Sequence, residues 1–421
     1  MNADSCCAFP LLLSQRLQIH RHGALLVGGA RHGGRRGLRG ARGAARRAAR
    51  RARARPPRRW RGLPAPAPAP APGAGAGHGC GVAALVAMAA GALIVQNKGG
   101  GHGEIGYHLA LKLAKEKGLK VTMIQDSACK QDKPPFNCYN DLVQAGVDIK
   151  VADLGGGLSA AIQGVQPCEY VFDNENVCPK DVQNLVKPWN PKVYAYVSSG
   201  GMYLPVPKDG ALVEGGAVKL DNKQLSIENH ARGLGLNWCA FRPQYIYGPK
   251  TNKRDYIDWF LDRITRDVPF PLPKDGSLFT TLTNAEDVAG MMASVVGKEA
   301  EAKGEIFNCA GNELLSHREV VQVIATALGK DAKAVLSKVV FYDPAALKGL
   351  ELPKEGKFPF RETNFGVSVK KAMKELDWQP LHTFQGDIAE YFAEYCRLGK
   401  DQGPVKRAWD EAVMRVAMSA A

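Results

Sequence analysis

Long apolar runs are missing from this 421-residue chain. The best of them, Val82–Val95, is rich in Ala and Gly. It falls short of the roughly 20 residues that cross a bilayer, so no membrane span is expected. Paired cysteines are missing too. Of ten cysteines, seven follow residue 88, an odd number with no CxxC spacing. That argues against a disulfide framework or a zinc site and points to small buried side chains in a reducing compartment. Internal repeats are absent, and so are the signatures of RRM, KH and zinc-finger modules. Acid is almost absent from the first 80 residues, where Asp4 stands alone against sixteen Arg and no Lys. That segment holds the whole net charge of +15, and the rest of the chain, with 40 basic and 40 acidic residues, is neutral. The high isoelectric point therefore describes a leader and not the folded body.

The leader is Arg- and Ala-rich, with a Pro-Ala run at Pro64–Pro72 and a glycine-rich stretch at Gly73–Gly81. Its composition fits an organelle transit peptide over residues 1–88, with the cut placed near Met88. A polybasic nucleic-acid-binding arm is the alternative. The remaining 333 residues suffice for a large core and two lobes.

Apolar strand-like runs follow at Ala92–Gln96, Lys120–Ile124, Val147–Val151, Tyr170–Phe172, Val193–Val197 and Trp238–Phe241. Helical patterns lie between them at Ile105–Lys117, Pro179–Val186 and Asp221–Arg232. Continuous apolar strands alternating with helices predict an α/β, Rossmann-like, doubly wound parallel sheet over residues 89–249. In the first helix Ile105, Leu109 and Leu113 share one face, and Gly118 supplies the stop. Residues 250–400 are expected to form a smaller C-terminal lobe, and 401–421 a peripheral helical tail.

Between the first strand and first helix stands Asn97-Lys98-Gly99-Gly100-Gly101-His102-Gly103-Glu104-Ile105-Gly106. Strand, glycine turn and helix in that order make Gly101, Gly103 and Gly106 candidates for binding a dinucleotide, NAD(P), with its pyrophosphate at the helix N-terminus. Asp126 lies 20 residues beyond Gly106, the place of a ribose-binding acid. It is equally the polar end of a strand. Asp153 borders an adenine pocket or simply forms a turn. His102 is placed to hydrogen-bond a phosphate or move a proton, against the plainer reading of an exposed loop histidine. Glu104 suits the helix dipole as a structural residue. It would repel a pyrophosphate unless Mg²⁺ intervened, which Glu104 with Asp126, Asp153 or Asp173 would hold.

Tyr196-Val197-Ser198-Ser199-Gly200-Gly201-Met202-Tyr203 and Phe241-Arg242-Pro243-Gln244-Tyr245-Ile246-Tyr247-Gly248-Pro249 resemble signature segments of the extended short-chain dehydrogenases, including sugar-nucleotide epimerases. Glu305-Ile306-Phe307-Asn308 and Ala372–Pro380 resemble their C-terminal segments. By that resemblance Ser199 holds the catalytic Ser/Thr position. The redox chemistry needs Tyr and Lys one helical turn apart, so that the ammonium lowers the phenol pKa. None of the twelve tyrosines has a Lys four residues later. On a helix expected over Val218–Arg232 the two positions fall on Leu220 and Gln224, and Lys223 points about 100° away. Hydride chemistry of the usual kind is not expected.

A closer resemblance is to the chloroplast stem-loop-binding proteins, in particular their a-type paralogue. It is carried by Gly100–Gly106, Lys133-Pro134-Pro135-Phe136-Asn137, Phe172-Asp173-Asn174, Val213–Lys219, Asn237-Trp238 and Phe358-Pro359-Phe360-Arg361. Glu104 and the strand end Gln125-Asp126-Ser127 depart from that pattern. The resemblance implies RNA binding (stem-loop mRNA or rRNA), Mg²⁺-dependent endoribonuclease activity, association with plastid ribosomes or ribonucleoprotein, a stromal location, and oligomers with itself or a paralogue. Because the body is neutral, RNA must meet local basic patches: Lys250, Lys253 and Arg254, the helix bearing Arg263 and Arg266, and Lys357 with Arg361. Trp259 and Phe260 are read as core. An NAD(P)-dependent epimerase or reductase, and a non-catalytic ribosome-associated scaffold, are the competing readings.

Overall fold

The computed structural model describes residues 90–97, 102–205, 210–251 and 256–420. The leader with its cut near Met88, and the candidates Gly101, Lys253 and Arg254, lie outside the described residues.

Seven strands form one parallel sheet. They are β1 (Gly91–Gln96), β2 (Lys120–Asp126), β3 (Asp148–Ala152), β4 (Tyr170–Asn174), β5 (Val193–Val197), β6 (Trp238–Pro243) and β7 (Glu305–Cys309), in spatial order β7-β6-β5-β4-β1-β2-β3. All six expected strands are present. Strand alternation sends Ala92 and Ile94 to one face and Leu93 and Val95 to the other. Helices α1 (Gly103–Lys115), α2 (Leu158–Gln163), α3 (Pro179–Val186) and α4 (Lys223–Leu234) lie on the faces, so the central strands β4 and β5 are buried along their whole length. On α1, Ile105, Leu109 and Leu113 are buried as their spacing requires.

The expected helix over Val218–Arg232 is shorter at its start. Asn222 caps α4, accepting from the Gln224 and Leu225 amides at 2.9 and 3.2 Å, and Gly235 closes it in the left-handed region. A capping Asn outcompetes helix continuation through its own residue. Leu220 therefore lies before the helix, 87% exposed.

Beyond residue 250 come α5 (Tyr256–Thr265), α6 (Ala285–Ala293), α7 (His317–Ala327), α8 (Phe384–Arg397) and α9 (Ala408–Ala420). The chain crosses back to the first core more than once. β7 completes the sheet, and α6 buries Ala285, Val288, Met291 and Met292 in the same cluster as α1. A second core gathers Ile257, Phe260, Phe270, Val320, Ile324, Ile388 and Tyr395. Trp259 and Phe260 belong to it, as their helical spacing suggested.

The tail is helical and firmly docked. Trp409 and Val413 are buried, and Asp410 pairs with the buried Arg263. Arg263 donates through Nε and Nη2 to the two Asp410 oxygens at 2.8 and 3.0 Å, and to the carbonyls of Trp259, Gly356 and Lys406. Arg263 is thus a strut, not an RNA contact. Asp410→Ala leaves that guanidinium buried without its counter-charge. It should destabilise the protein by about 3–5 kcal/mol in chemical denaturation; a change under about 1 kcal/mol would contradict the strut.

Candidate functional site

The sheet's connections reverse direction between β1 and β4, and open α/β sheets bind ligands in the crevice beyond the strand ends at such a point. The register partners Gln96 and Asn174 end these strands. Asn174 Nδ2 donates to Gln96 Oε1 at 3.0 Å and to the His102 carbonyl at 3.3 Å. Gln96 Nε2 donates to the Tyr139 hydroxyl at 2.6 Å, which donates to Gln125 Oε1 at 2.6 Å. One residue further out, Asn97 Nδ2 donates to Asn176 Oδ1 at 2.9 Å. Gln96, Gln125 and Asn174 are wholly buried. Gly106 makes the arrangement possible, since a Cβ there would fall inside the Gln96 amide.

At the start of α1, His102 caps the helix in the left-handed region (φ 62°). Glu104 is wholly buried; its Oε1 lies 3.0 Å from His102 Nδ1, and its Oε2 has no hydrogen-bond partner among the described residues. The His102 ring stacks on Tyr256 at 6.5 Å, and Tyr256 faces Tyr245 and Phe360. Arg361, next to Phe360, donates to the carbonyls of Tyr203 at 2.8 Å and Gly201 at 2.7 Å and lies over the Phe365 ring. Ser199 Oγ accepts from the Gly201 amide at 3.0 Å. A row of aromatic rings thus brings His102, Glu104, Ser199 and Arg361 to one region, although 259 positions separate the first from the last in sequence.

The other candidates disperse. Lys357 is exposed on a groove of about 340 Å³ with Tyr256, Trp259 and Lys406, while Phe358 and Phe360 on either side of Pro359 are core. Lys250 stands apart, its Nζ 3.4 Å from Cys138 Sγ and over the Tyr107 ring. The acids proposed for Mg²⁺ are engaged in local structure. Asp126 Oδ1 accepts from the Ala128 amide, Asp153 Oδ1 from the Gly155 amide, and Asp173 from the Tyr194 hydroxyl and the Glu175 amide. Among the described residues no three His, Cys, Asp or Glu side chains lie together in a metal-binding arrangement. The carboxylates expected to hold Mg²⁺ are not gathered among the described residues, because short turns engage Asp126 and Asp153 one by one.

Where a dehydrogenase keeps its proton donor this chain has Leu220, pointing into solvent outside the helix, and Gln224 in the first turn of α4. Beside them lies a buried network that sequence reasoning missed. Ser198 Oγ donates to Glu228 Oε1 at 2.6 Å, and Arg242 holds Glu228 in two-point contact at 3.0 and 2.6 Å. Arg242 also donates to Tyr203, whose hydroxyl donates to Asn308. The signal was a lone Arg within an apolar strand, which demands a buried counter-charge.

A further titratable chain lies where α6 meets α8. His382 Nδ1 is 3.0 Å from Asp387 Oδ1 and its Nε2 is 3.6 Å from Glu286 Oε2, while Glu286 Oε1 is 3.7 Å from His108 Nδ1. Burial alone would lower the His382 imidazole, but Asp387, Asp287 and Glu286 outweigh it and hold it above the ordinary histidine value. For His108 burial wins and lowers it.

Solved structures with the same architecture are similar to this chain over most of its length. A dTDP-glucose 4,6-dehydratase from Bacillus anthracis in complex with NAD superposes with a TM-score of 0.57 at 17% identity, covering 74% of this chain and 98% of that one. A UDP-glucuronic acid 4-epimerase from Bacillus cereus in complex with NAD gives 0.56 at 16%, covering 73% and 99%. A Thermus thermophilus UDP-glucose 4-epimerase gives 0.53 at 19%, covering 72% and 99%. The fold is that of the NAD-dependent epimerases and dehydratases. In sequence, the chain is 31% identical over 222 residues to the chloroplast stem-loop binding protein of 41 kDa b of Arabidopsis thaliana. That stretch is 52% of this chain and 54% of the relative, so the match spans about half the length of each. The match is to the b-type protein, whereas the motifs quoted above resemble the a-type. No family model matches the sequence.

The epimerase–dehydratase fold raises the question of NAD. Asp126 stands at the end of β2, where that fold binds an adenosine ribose. The pyrophosphate half fits badly. Glu104 places a buried carboxylate at the N-terminus of α1, and two like charges about 4 Å apart repel by about 4 kcal/mol at an effective dielectric constant near 20. Asp126 thus suits the cofactor, and the Glu104 carboxylate is the group that opposes it.

The His382 cluster gives a pH dependence. A folded-state value raised above the ordinary 6.5 contributes stability fully below 6.5 and loses it as pH rises through the raised value. The stability difference between the native protein and His382→Gln should be largest near pH 6 and shrink toward about pH 9 in parallel denaturation series. A difference that grows with pH would contradict the assignment.

Proposed function

We propose that this chain is a plastid protein that binds structured RNA on an epimerase–dehydratase scaffold no longer used for hydride transfer. The observation that carries the reading is the 31% identity to a chloroplast stem-loop binding protein, joined to the loss of the Tyr–Lys pair at Leu220 and Gln224. An Arg-rich, acid-poor leader supports import into a chloroplast, and the stroma is the compartment in which such RNA is met. The RNA lies across the region of His102, Tyr256 and the groove carrying Lys357, where a ring stack and ammonium groups adjoin. Arg361 and Ser199 serve that surface indirectly, by fixing the 199–203 turn.

Cleavage belongs to the same proposal. His102, with its Nδ1 held by Glu104, is the group positioned to move a proton at a phosphodiester. The role then lies in processing or stabilising plastid transcripts or ribosomal RNA, in oligomers with itself or a paralogue. The test uses the chain from residue 89 onward, so that the Arg-rich leader contributes nothing, with a labelled stem-loop RNA and either Mg²⁺ or EDTA. Retention that weakens with salt is expected, and Lys357→Ala should lower affinity roughly three- to tenfold and flatten the salt slope by about one phosphate contact. Metal-dependent cleavage supports the endoribonuclease. Retention without cleavage supports a ribosome-associated binding role. No retention at low salt overturns the reading, and turnover of a sugar nucleotide with NAD(P) replaces it with the epimerase.

A further inference from the structure

The N-terminus of α1 offers one anion the favourable end of a helix dipole and the unpaired amides of a first turn. In a dinucleotide site that anion is the pyrophosphate. Here Glu104 already stands in this turn, wholly buried, with Oε1 beside His102 Nδ1 and Oε2 without a hydrogen-bond partner among the described residues. An unpaired carboxylate oxygen buried in protein is costly unless a local field favours negative charge, and the helix start supplies that field.

A second observation is independent of charge. The crevice between the ends of β1 and β4 is spanned by the chain's own amides. Asn174 Nδ2 reaches both Gln96 Oε1 and the His102 carbonyl, and Asn97 pairs with Asn176 just beyond. Gly106, which in a dinucleotide site permits close helix–strand packing, here admits the Gln96 side chain against α1.

We propose that the dinucleotide site of this fold is self-occupied in this chain: the Glu104 carboxylate stands in for the pyrophosphate at the start of α1, and the Gln96–Asn174 bridge closes the crevice to NAD(H) and NADP(H). The glycine motif survives because the internal packing needs it. This holds whether or not RNA is the ligand of the outer surface.

The test is direct binding of NAD⁺, NADH and NADP⁺ to the full chain by calorimetry and by quenching of tryptophan fluorescence. Glu104→Gln removes the charge at constant size, and Glu104→Ala removes both. Asn174→Ala opens the bridge while leaving Glu104 in place. The native protein should show no saturable binding up to about 1 mM. Glu104→Ala should gain at least tenfold in affinity, with Glu104→Gln gaining less. Thermal unfolding of each variant reports that it is folded. Saturable micromolar binding of NAD(P) to the native protein overturns the proposal. So does a folded Glu104→Ala, alone and combined with Asn174→Ala, that gains no affinity.

Discussion

The contact between α1 and β1 at Gly106 is the constraint on which the rest of the structure depends. Only a residue without a side chain lets the Gln96 amide lie against the first turn of α1. From Gln96 the hydrogen bonds run to Tyr139, Gln125 and Asn174, tying the ends of β1, β2 and β4 together. Every partner is buried, so each bond left unmade would cost the desolvation of a polar group, of order 1–3 kcal/mol. Such a network is rigid when complete and intolerant of partial occupancy. It fixes where His102 and Glu104 stand, and through the His102 ring it fixes Tyr256 on the other core.

The two cores are held to one another by charged groups placed where apolar packing ends. Arg361 reaches back to the 199–203 turn. Asp287 accepts the backbone amides of Leu381 and His382, which anchors the segment before α8 to α6. His382 then links Asp387 and Glu286, and His108 bonds the Pro249 carbonyl from α1. Two of the arginines offered to RNA in the sequence, Arg263 and Arg361, are spent on internal acceptors in this way. Arg242, Arg263 and Arg361 each satisfy buried or partly buried acceptors.

Much of the architecture was legible in the sequence because its signals are periodic and local. Continuous apolar strands, the Ile105–Leu109–Leu113 face and the glycine turn each follow from one stretch of chain. What escaped depends on contacts distant in sequence. The return of Glu305–Cys309 to the sheet is decided by burial of Phe307 and Cys309 against β6, a pairing no local pattern specifies. The start of α4 turned on one capping residue, Asn222, within a stretch whose apolar pattern ran on either side. At the site, His102 and Glu104 were visible as a pair, and the aromatic row joining them to Arg361 was not. Asp126, Asp153 and Asp173 looked equally able to gather around a cation, and the structure instead gives each its own turn or tyrosine.

The account holds that a closed Rossmann crevice leaves binding to the surface around His102, Tyr256 and Lys357. Ultraviolet cross-linking of the chain from residue 89 onward to a stem-loop RNA, with the modified peptides identified by mass spectrometry, tests this most directly. The account predicts adducts concentrated at His102, Tyr256 and residues 357–361. Adducts confined to α2 and α3, on the opposite face of the sheet, or loss of the His102 and Tyr256 adducts when the dinucleotide NAD⁺ is added as competitor, would contradict it.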